Sequence, residues 1–317
     1  MKRSLSIGAL AALLLASAAC GNDASSSATT AGAASSVPDT TLAPSTAPEV
    51  TGDSVPAPAA KAIVSLSPTA TEMLFAIGAG DQVIAVDDMS NFPAEALQKP
   101  HDLSGFEPNV EAIAALQPDL VILQDTTIQE QLETAGVTVW VGPAATNFED
   151  VYAQISQLGA ATGHEAEANA LIDTMKAGIE AAVAAAVAGT PAGAEGATFY
   201  HELDPTLYSV TSNTFIGQVY GLFGLKNIAD DVEPGNDYPQ LNAEYVVQQN
   251  PALIVLADSK CCGESPETVA ARPGWGAIAA VQNGDIVVID DDIASRWGPR
   301  LVDFIQTLSA AVVKALG

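Results

Sequence analysis

Histidine and cysteine, the side chains that most often bind metals or carry redox chemistry, are rare in this chain. The 317 residues contain three of each. His101, His164 and His201 are far apart and lie in no histidine-rich loop, so a direct zinc or manganese site is not indicated. Cys261 and Cys262 are adjacent, and in an oxidising compartment a local disulfide is favoured over two free thiols. No protein-bound metal is predicted.

Sequence motifs that place a nucleophile or a phosphate at the start of a helix are also missing. No Gly-x-Ser-x-Gly, phosphate-loop or Gly-x-Gly-x-x-Gly sequence opens a helical stretch. The formal charge of −27 argues against nucleic acid as a partner, because neutralising phosphates requires clustered Lys and Arg. We therefore expect a binding protein, not an enzyme, with no cofactor of its own.

Aromatic and polar side chains are concentrated where predicted strands end. Open α/β sheets bind ligands beyond the carboxyl ends of their strands. Aromatic faces in such a place suit a flat macrocycle or an aryl chelator, because they stack on it. The candidate ligand-binding residues are Met89, Phe92, Phe106, Gln124, Asp125, Tyr200, His201, Tyr238, Asp292, Arg296 and Trp297.

The charges near this predicted cleft bear on the ligand. Anionic ligands usually require several Arg or Lys, whereas here Arg296, Arg300 and Lys260 face many carboxylates. This balance favours a neutral or cationic ligand.

A fifteen-residue pattern that runs from Asn109 to Leu123 recurs 133 positions later, from Asn242 to Leu256. Each copy has an Asn that can cap a helix, a Glu in the first turn, a Pro and then an apolar strand. A helix–strand unit that occurs twice in the sequence, about one domain length apart, indicates two similar lobes.

The remaining pattern fits the same architecture. Short apolar strands alternate with helices, which favours an α/β fold with parallel-rich sheets. Asn147 caps a helical stretch that continues, apart from Gly159 and Gly163, to Ala188. The predicted order is thus a first lobe, a helical bridge and a second lobe, over residues 61–146, 147–190 and 191–317.

The N-terminal segment has the composition of a targeting signal. Residues 1–19 combine Lys2 and Arg3 with an apolar run and small residues that lead to Cys20. This predicts a lipoprotein signal and lipidation of Cys20, with an ordinary signal peptide as the alternative. Residues 20–60 are rich in Ser, Thr, Ala and Pro, which predicts a flexible tether and hence a head held outside the cell membrane by its lipid anchor.

Four motifs in the first lobe resemble a known family. They are Ile63-Val-Ser-Leu-Ser-Pro-Thr-Ala-Thr-Glu, Phe92-Pro, Asn109-Val-Glu-Ala-Ile and Pro118-Asp-Leu-Val-Ile. Together they resemble the cobalamin and iron-siderophore substrate-binding proteins of ABC importers. The resemblance implies two Rossmann-like lobes joined by one long interlobe helix, the class III periplasmic-binding-protein fold, with the ligand between the lobes.

The resemblance also implies partners and sites. An acidic residue on each lobe of the family docks onto arginines of a permease dimer that works with a cytoplasmic ATPase, and the matching residues are Glu111 and Glu244. A purely local role, in which each Glu complements its helix dipole, is the alternative. Family cleft aromatics match Tyr238 and the loop around Phe92. We expect a monomer that captures a small metal–organic ligand outside the cytoplasm.

The resemblance implies cobalamin or a ferric siderophore as the ligand, and the charge balance near the cleft favours cobalamin or a hydroxamate chelate over an anionic siderophore. Haem is an alternative, with possible iron ligands among His101, His201, Tyr200 and Tyr238. A sensory or adhesion lipoprotein that uses this fold without transport is the alternative function.

Overall fold

The computed structural model describes residues 59–191 and 194–317. The predicted signal segment 1–19, Cys20 and nearly all of the predicted 20–60 tether lie outside those residues. The segments predicted to form the two lobes and the helical bridge are described almost completely.

The first lobe contains a four-stranded parallel sheet. Its strands are β1 (Ile63–Leu66), β2 (Val83–Val86), β3 (Leu120–Leu123) and β4 (Val139–Val141), in the spatial order β2–β1–β3–β4. They alternate with helices α1 (Pro68–Ala76), α2 (Val110–Ala115) and α3 (Gln129–Thr134). β1 and β3 are buried along their whole length, as expected of parallel strands covered on both faces. Because all four strands are parallel, their carboxyl ends lie along one edge of the sheet.

Two helices follow this sheet. They are α4 (Phe148–Thr162) and α5 (Glu165–Gly189), which at 25 residues is the long helix of the structure. The Asn147 side chain accepts a hydrogen bond from the Asp150 amide at 3.0 Å, so the predicted cap is present. The helical stretch is interrupted, however, because Gly163 adopts a left-handed conformation at φ 76° and ends α4.

The second lobe repeats the topology of the first. Its strands are β5 (Thr198–Glu202), β6 (Lys226–Asn227), β7 (Leu253–Leu256) and β8 (Ile286–Val288), all parallel and in the order β6–β5–β7–β8. Its helices are α6 (Phe215–Gly221), α7 (Ala243–Gln249), α8 (Ser259–Cys262), α9 (Pro266–Ala270), α10 (Ala279–Asn283), α11 (Asp291–Ser295) and α12 (Leu301–Leu316). Two parallel sheets with helices confirm the predicted fold class.

The duplicated sequence pattern forms the same unit in each lobe, α2 with β3 and α7 with β7. The Asn109 side chain accepts from the Ala112 amide at 2.9 Å, and the Asn242 side chain accepts from the Tyr245 amide at 2.8 Å. Both helices end near a residue in the left-handed region, Gln117 at φ 52° and Asn250 at φ 50°. The repeat therefore extends to backbone conformation.

One hydrophobic core joins the two lobes. It contains Ile63 from β1, Phe199 from β5 and Met175 from α5, and it continues into α12 through Phe304. α5 packs against both α4 and α12. A shared core of this kind resists large relative motion of the lobes, since it would have to be taken apart for them to separate.

Across residues 59–191 and 194–317, none of the helices combines the length and the apolar character that a membrane crossing requires.

Candidate functional site

A pocket opens between the carboxyl edge of the first sheet and the second lobe. Leu66 ends β1, Asp87 follows β2 and Gln124 follows β3, and all three line one wall. The other wall comes from the end of α11 and the residues that follow it. The structure brings six of the predicted ligand residues together here: Met89, Phe106, Gln124, Asp292, Arg296 and Trp297.

A second pocket adjoins the first, and Ser295, Arg296 and Trp297 line both. Tyr238 lies in this second pocket and is 52% exposed, while Phe106 in the first is 82% exposed. Large apolar side chains this exposed mark binding surfaces, because leaving them in water costs free energy. Met89, at 43% exposed, extends the same surface.

Arg296 is tied to both lobes. Its Nη1 donates to Glu72 Oε1 and Asn91 Oδ1, each at 2.9 Å. Its Nη2 donates to Asp292 Oδ1 at 2.9 Å and to the Met89 carbonyl at 3.0 Å. Asn91 completes the link by donating to Asp292 Oδ2 at 2.9 Å. Arg296 thus acts chiefly as a clamp between the lobes.

The other two predicted cations are paired as well. Arg300 donates from Nε to Glu72 Oε2 at 2.8 Å and from Nη2 to Oε1 at 2.5 Å. Burial opposes its charge, but these bonds to Glu72 raise the Arg300 pKa above its usual value. Lys260 Nζ lies 2.6 Å from Asp290 Oδ2 and 3.0 Å from Asp292 Oδ2. An anionic ligand would therefore have to compete with carboxylates for each of these three cations.

Phe92 lies outside the interlobe pocket, which corrects the expectation that it lines the cleft. It forms a separate groove with Phe75, Pro93 and Pro299, and the Arg300 guanidinium lies 4.2 Å from the centre of its ring. The Phe92 ring therefore covers one face of the Arg300 guanidinium. Asp125 is also set apart, because it is exposed and its side chain accepts from the Thr127 amide at 2.7 Å.

Tyr200 and His201 lie in the interior of the second lobe, which corrects the expectation that they face the ligand. Both are fully buried, Tyr200 against Trp275, with 6.0 Å between ring centres. His201 Nδ1 is 2.6 Å from the Tyr220 hydroxyl, and burial lowers its pKa to about 3, so it stays neutral. The physical reason is position: both residues lie within β5, whose two faces are covered, and not beyond its end.

The pocket also contains residues that sequence reasoning passed over. Thr69, Gly105 and Ser295 line it but were not among the candidates. Neither was Glu72, which does not line this pocket but is the carboxylate that both arginines share. Its signal in the sequence was weak: it is the one charged residue in the otherwise uncharged helix α1. Such a residue indicates a buried pair, but the sequence does not name the partner.

Asp87 is the carboxyl group in the pocket wall that these pairs leave out. It is 1% exposed, and its Oδ1 accepts from the Met89 amide at 3.0 Å. Among the described residues its Oδ2 has no hydrogen-bond partner. Burial raises the pKa of this carboxyl group above its usual value.

A second buried charge cluster lies at the carboxyl end of β5 and β7. Arg272 donates to both oxygens of Glu202, each at 2.6 Å, and to Glu264 at 2.8 Å. Asp258 is fully buried beside them, and neither of its oxygens has a partner among the described residues. Burial and the nearby Glu202 charge raise the Asp258 pKa to about 8. Asp258 therefore keeps its proton at neutral pH.

Cys261 and Cys262 are joined as a disulfide in the short helix α8. The Asp291 carboxylate accepts from the amides of Lys260 and Cys261, with the Cys261 bond at 2.8 Å. These contacts hold α8 against α11. In residues 59–191 and 194–317, no group of three or more His, Cys, Asp or Glu is arranged to hold a metal ion.

Glu111 and Glu244 occupy equivalent exposed positions in the first turns of α2 and α7. Within the described part of the chain neither carboxylate forms a salt bridge. Their charges are therefore available to a partner.

Comparisons with known proteins agree with this fold. A sequence model of the family described as "Periplasmic binding protein" matches residues 63–293. The "Uncharacterized ABC transporter substrate-binding lipoprotein YvrC" of Bacillus subtilis is 31% identical over 316 residues, which cover 96% of each chain. A "Cobalamin-binding protein" of Halobacterium salinarum is 31% identical over 257 residues, 78% of this chain and 68% of that protein.

Solved structures show the same fold. The periplasmic vitamin B12 binding protein BtuF of Vibrio cholerae has a TM-score of 0.66 at 22% identity and covers 81% of this chain and 98% of its own. The periplasmic heme-binding protein RhuT of Roseiflexus sp. RS-1 has a TM-score of 0.69 at 22% identity, with 81% and 99% covered. With the family match over residues 63–293 and the full-length relative, these findings place the chain in the periplasmic binding protein family.

Proposed function

We propose that this protein is the extracytoplasmic substrate-binding component of an ABC importer and that its ligand is a neutral metal–organic nutrient, a corrinoid in the first place. The names of its relatives support the transport role: YvrC is called an ABC transporter substrate-binding lipoprotein, and the Halobacterium relative is called a cobalamin-binding protein.

The observation that carries the ligand class is the pairing of the cations in and beside the pocket. Arg296 and Arg300 share Glu72, and Lys260 binds Asp290 and Asp292. Haem propionates and carboxylate siderophores bring negative charge that such a site does not neutralise. The side chains of a corrinoid end in neutral amides, which need no cation, and its flat ring suits exposed aromatic side chains.

Haem is the second candidate, and Tyr238 favours it. Of the tyrosines and histidines predicted as iron ligands, Tyr200 and His201 are in the core, whereas Tyr238 is exposed in the second pocket. A phenolate oxygen can bind ferric iron, so this residue offers one axial ligand.

Titration of the purified protein separates these ligands. Trp297 lines both pockets, so we expect its fluorescence to be quenched in a saturable way by cyanocobalamin and only weakly by haem or a ferric carboxylate siderophore. The matched control is Trp297→Phe, which should lose most of the quenching while equilibrium dialysis still detects binding. Absence of cyanocobalamin binding by dialysis would overturn the corrinoid assignment.

The anchor is part of the same proposal. Cys20 follows a segment with the composition of a secretory signal, and we propose that it is lipidated and holds the head at the outer face of the cell membrane. Metabolic labelling with a radioactive fatty acid tests this. Label should enter the wild-type protein and be lost in Cys20→Ser, and equal labelling of both would contradict the proposal.

The third part concerns delivery. Glu111 and Glu244 present one carboxylate on each lobe, at the same position of a repeated unit. A two-fold permease dimer offers two equivalent surfaces, so a matched pair of charges would set the orientation of docking. We propose that these two residues contact cations of the permease.

A further inference from the structure

Asp87 lies in the pocket wall, at a position where its side chain can contact a bound ligand. It directly follows β2, at the edge where the strands of the first sheet end, and Leu103 pairs with it as an isolated bridge. Leu66, at the end of β1, and Gln124, just after β3, lie along the same edge. A side chain at this position faces whatever fills the cleft of an α/β lobe.

Only half of the Asp87 carboxyl group has a partner. Oδ1 accepts from the Met89 amide at 3.0 Å, whereas Oδ2 has no partner among the described residues although the side chain is 1% exposed. Leaving a buried polar atom without a hydrogen bond costs free energy, so a donor that reaches it gains more than one that binds a solvated group.

Gly105 lies against the Asp87 carboxyl group in the pocket wall. It lines the same pocket, and a Cβ atom at this position would lie 3.1 Å from Oδ2. A side chain at residue 105 would thus crowd this oxygen. The Gly105 amide is held in place by Asp88, whose Oδ1 accepts from it at 3.1 Å.

The other charged side chains of the pocket already have hydrogen-bond partners within the protein. Arg296 already donates four hydrogen bonds to protein groups, and Asp292 accepts from Asn91, Lys260 and Arg296. Asp87 Oδ2 is therefore a hydrogen-bond acceptor that the described residues leave unused, in a pocket where Arg296 and Asp292 are already paired.

We propose that Asp87 is a specificity-determining residue whose Oδ2 accepts a hydrogen bond from an N–H group of the bound ligand. It selects a primary amide or an ammonium group over a carboxylate at this end of the pocket. The inference rests on the proposed function to the extent that the interlobe pocket holds the ligand.

The first test measures the binding of cyanocobalamin and of its mono-acid derivatives, each with one side-chain amide hydrolysed to a carboxylate. We expect the wild-type protein to bind one of these mono-acids about 10- to 100-fold more weakly than cyanocobalamin. In Asp87→Asn, cyanocobalamin should bind about 10-fold more weakly and the selectivity against that mono-acid should disappear. A structural role alone would weaken all of these ligands by the same factor, and unchanged selectivity would overturn the proposal.

Two further variants separate contact from charge. Asp88→Asn removes the neighbouring carboxylate but keeps an acceptor for the Gly105 amide, and it should retain wild-type selectivity. Gly105→Ala keeps Asp87 but crowds Oδ2 with a methyl group, and it should weaken cyanocobalamin binding as Asp87→Asn does. Thermal unfolding checks that each variant is folded. Wild-type affinity and selectivity in folded Gly105→Ala would contradict the proposal.

Binding of cyanocobalamin to the wild-type protein tests the proposed function separately from the role of Asp87. If it does not bind cyanocobalamin, the corrinoid assignment fails, and the same comparison is made with ferrioxamine B, which carries an ammonium group, and its N-acetylated form. Preference for the ammonium form in the wild type but not in Asp87→Asn would support Asp87 as a specificity residue. Binding of haem alone would overturn the inference and leave the transport role standing.

Discussion

Glu72 is a buried carboxylate that two arginines of the second lobe share. Arg296 and Arg300 both contact its Oε1, and Arg300 also donates to Oε2. Taking these charges out of water is costly, and the cost is offset only because each charge meets its partner in close geometry. The cluster therefore requires closer geometry than a surface ion pair does, and it depends on the single carboxylate of Glu72.

Removing the Glu72 charge should leave two arginines buried without their main partner. We expect Glu72→Gln to lower the free energy of unfolding by about 3–5 kcal/mol, measured by urea denaturation. The matched control is Glu95→Gln, which neutralises an exposed carboxylate of the same lobe and should change stability by less than about 0.5 kcal/mol. A loss below about 1 kcal/mol for Glu72→Gln would mean that the cluster is not a structural clamp.

At the scale of elements, helices α2 and α7 have the same role in the two lobes. Each is preceded by an Asn cap, has an exposed Glu in its first turn and is followed by a buried strand. The Asn satisfies a backbone donor and the Glu complements the helix dipole, so local physics alone explains both residues. A local role does not require that the two Glu residues occupy equivalent positions on the two lobes.

Charge reversal distinguishes docking from a local role. We expect the double variant Glu111→Arg with Glu244→Arg to reduce ligand uptake by cells more than 10-fold, while ligand affinity of the purified protein stays within about 2-fold. The control is Glu130→Arg with Glu267→Arg, which makes the same charge change in the first turns of α3 and α9.

If the control pair reduces uptake equally, net charge and not docking is responsible. If the Glu111 and Glu244 variant also loses ligand affinity, the assignment of these residues to the permease interface is wrong.

At the scale of the whole molecule, stability should depend on pH through Asp258. Its folded pKa of about 8 lies above the ordinary value of 3.8, so the folded state keeps a proton that the unfolded chain releases. The free energy of unfolding should therefore fall as pH rises from about 4 to 8, by at most about 1.4 kcal/mol per pH unit from this group. Below pH 4 its contribution is complete, and above pH 8 the loss is constant.

The variant Asp258→Asn isolates this contribution. Its amide can donate to Glu202 as the protonated carboxyl group would, but it does not titrate. We expect thermal melts between pH 4 and 8 to show a smaller decline for the variant, and equal or higher stability than the wild type at pH 8. Asp231→Asn, which changes an exposed carboxylate of the same lobe, should keep the wild-type slope. An unchanged slope in Asp258→Asn would assign the pH dependence to other groups.

Local elements were predicted well from the sequence. The apolar strand predicted at the end of each repeat copy is present, as Leu120–Leu123 and Leu253–Leu256, and so are the caps at Asn109, Asn147 and Asn242. These features depend on residues within a few positions of one another, so apolar runs and capping side chains are enough to locate them. The repeat revealed two lobes for the same reason.

Features that depend on distant residues could not be predicted in this way. The sequence supplied Arg296 and Arg300 as candidate cations of a ligand cleft, but only the tertiary structure shows that Glu72, more than 200 residues away, takes up both. It also moved Tyr200 and His201 from the cleft to the core, since a strand's neighbours decide what its side chains face. The chain alone determined its elements and its two-lobed plan. Packing of the lobes decided that Arg296 and Arg300 pair with Glu72, because these hydrogen bonds join residues of different lobes and form only when both lobes are in place.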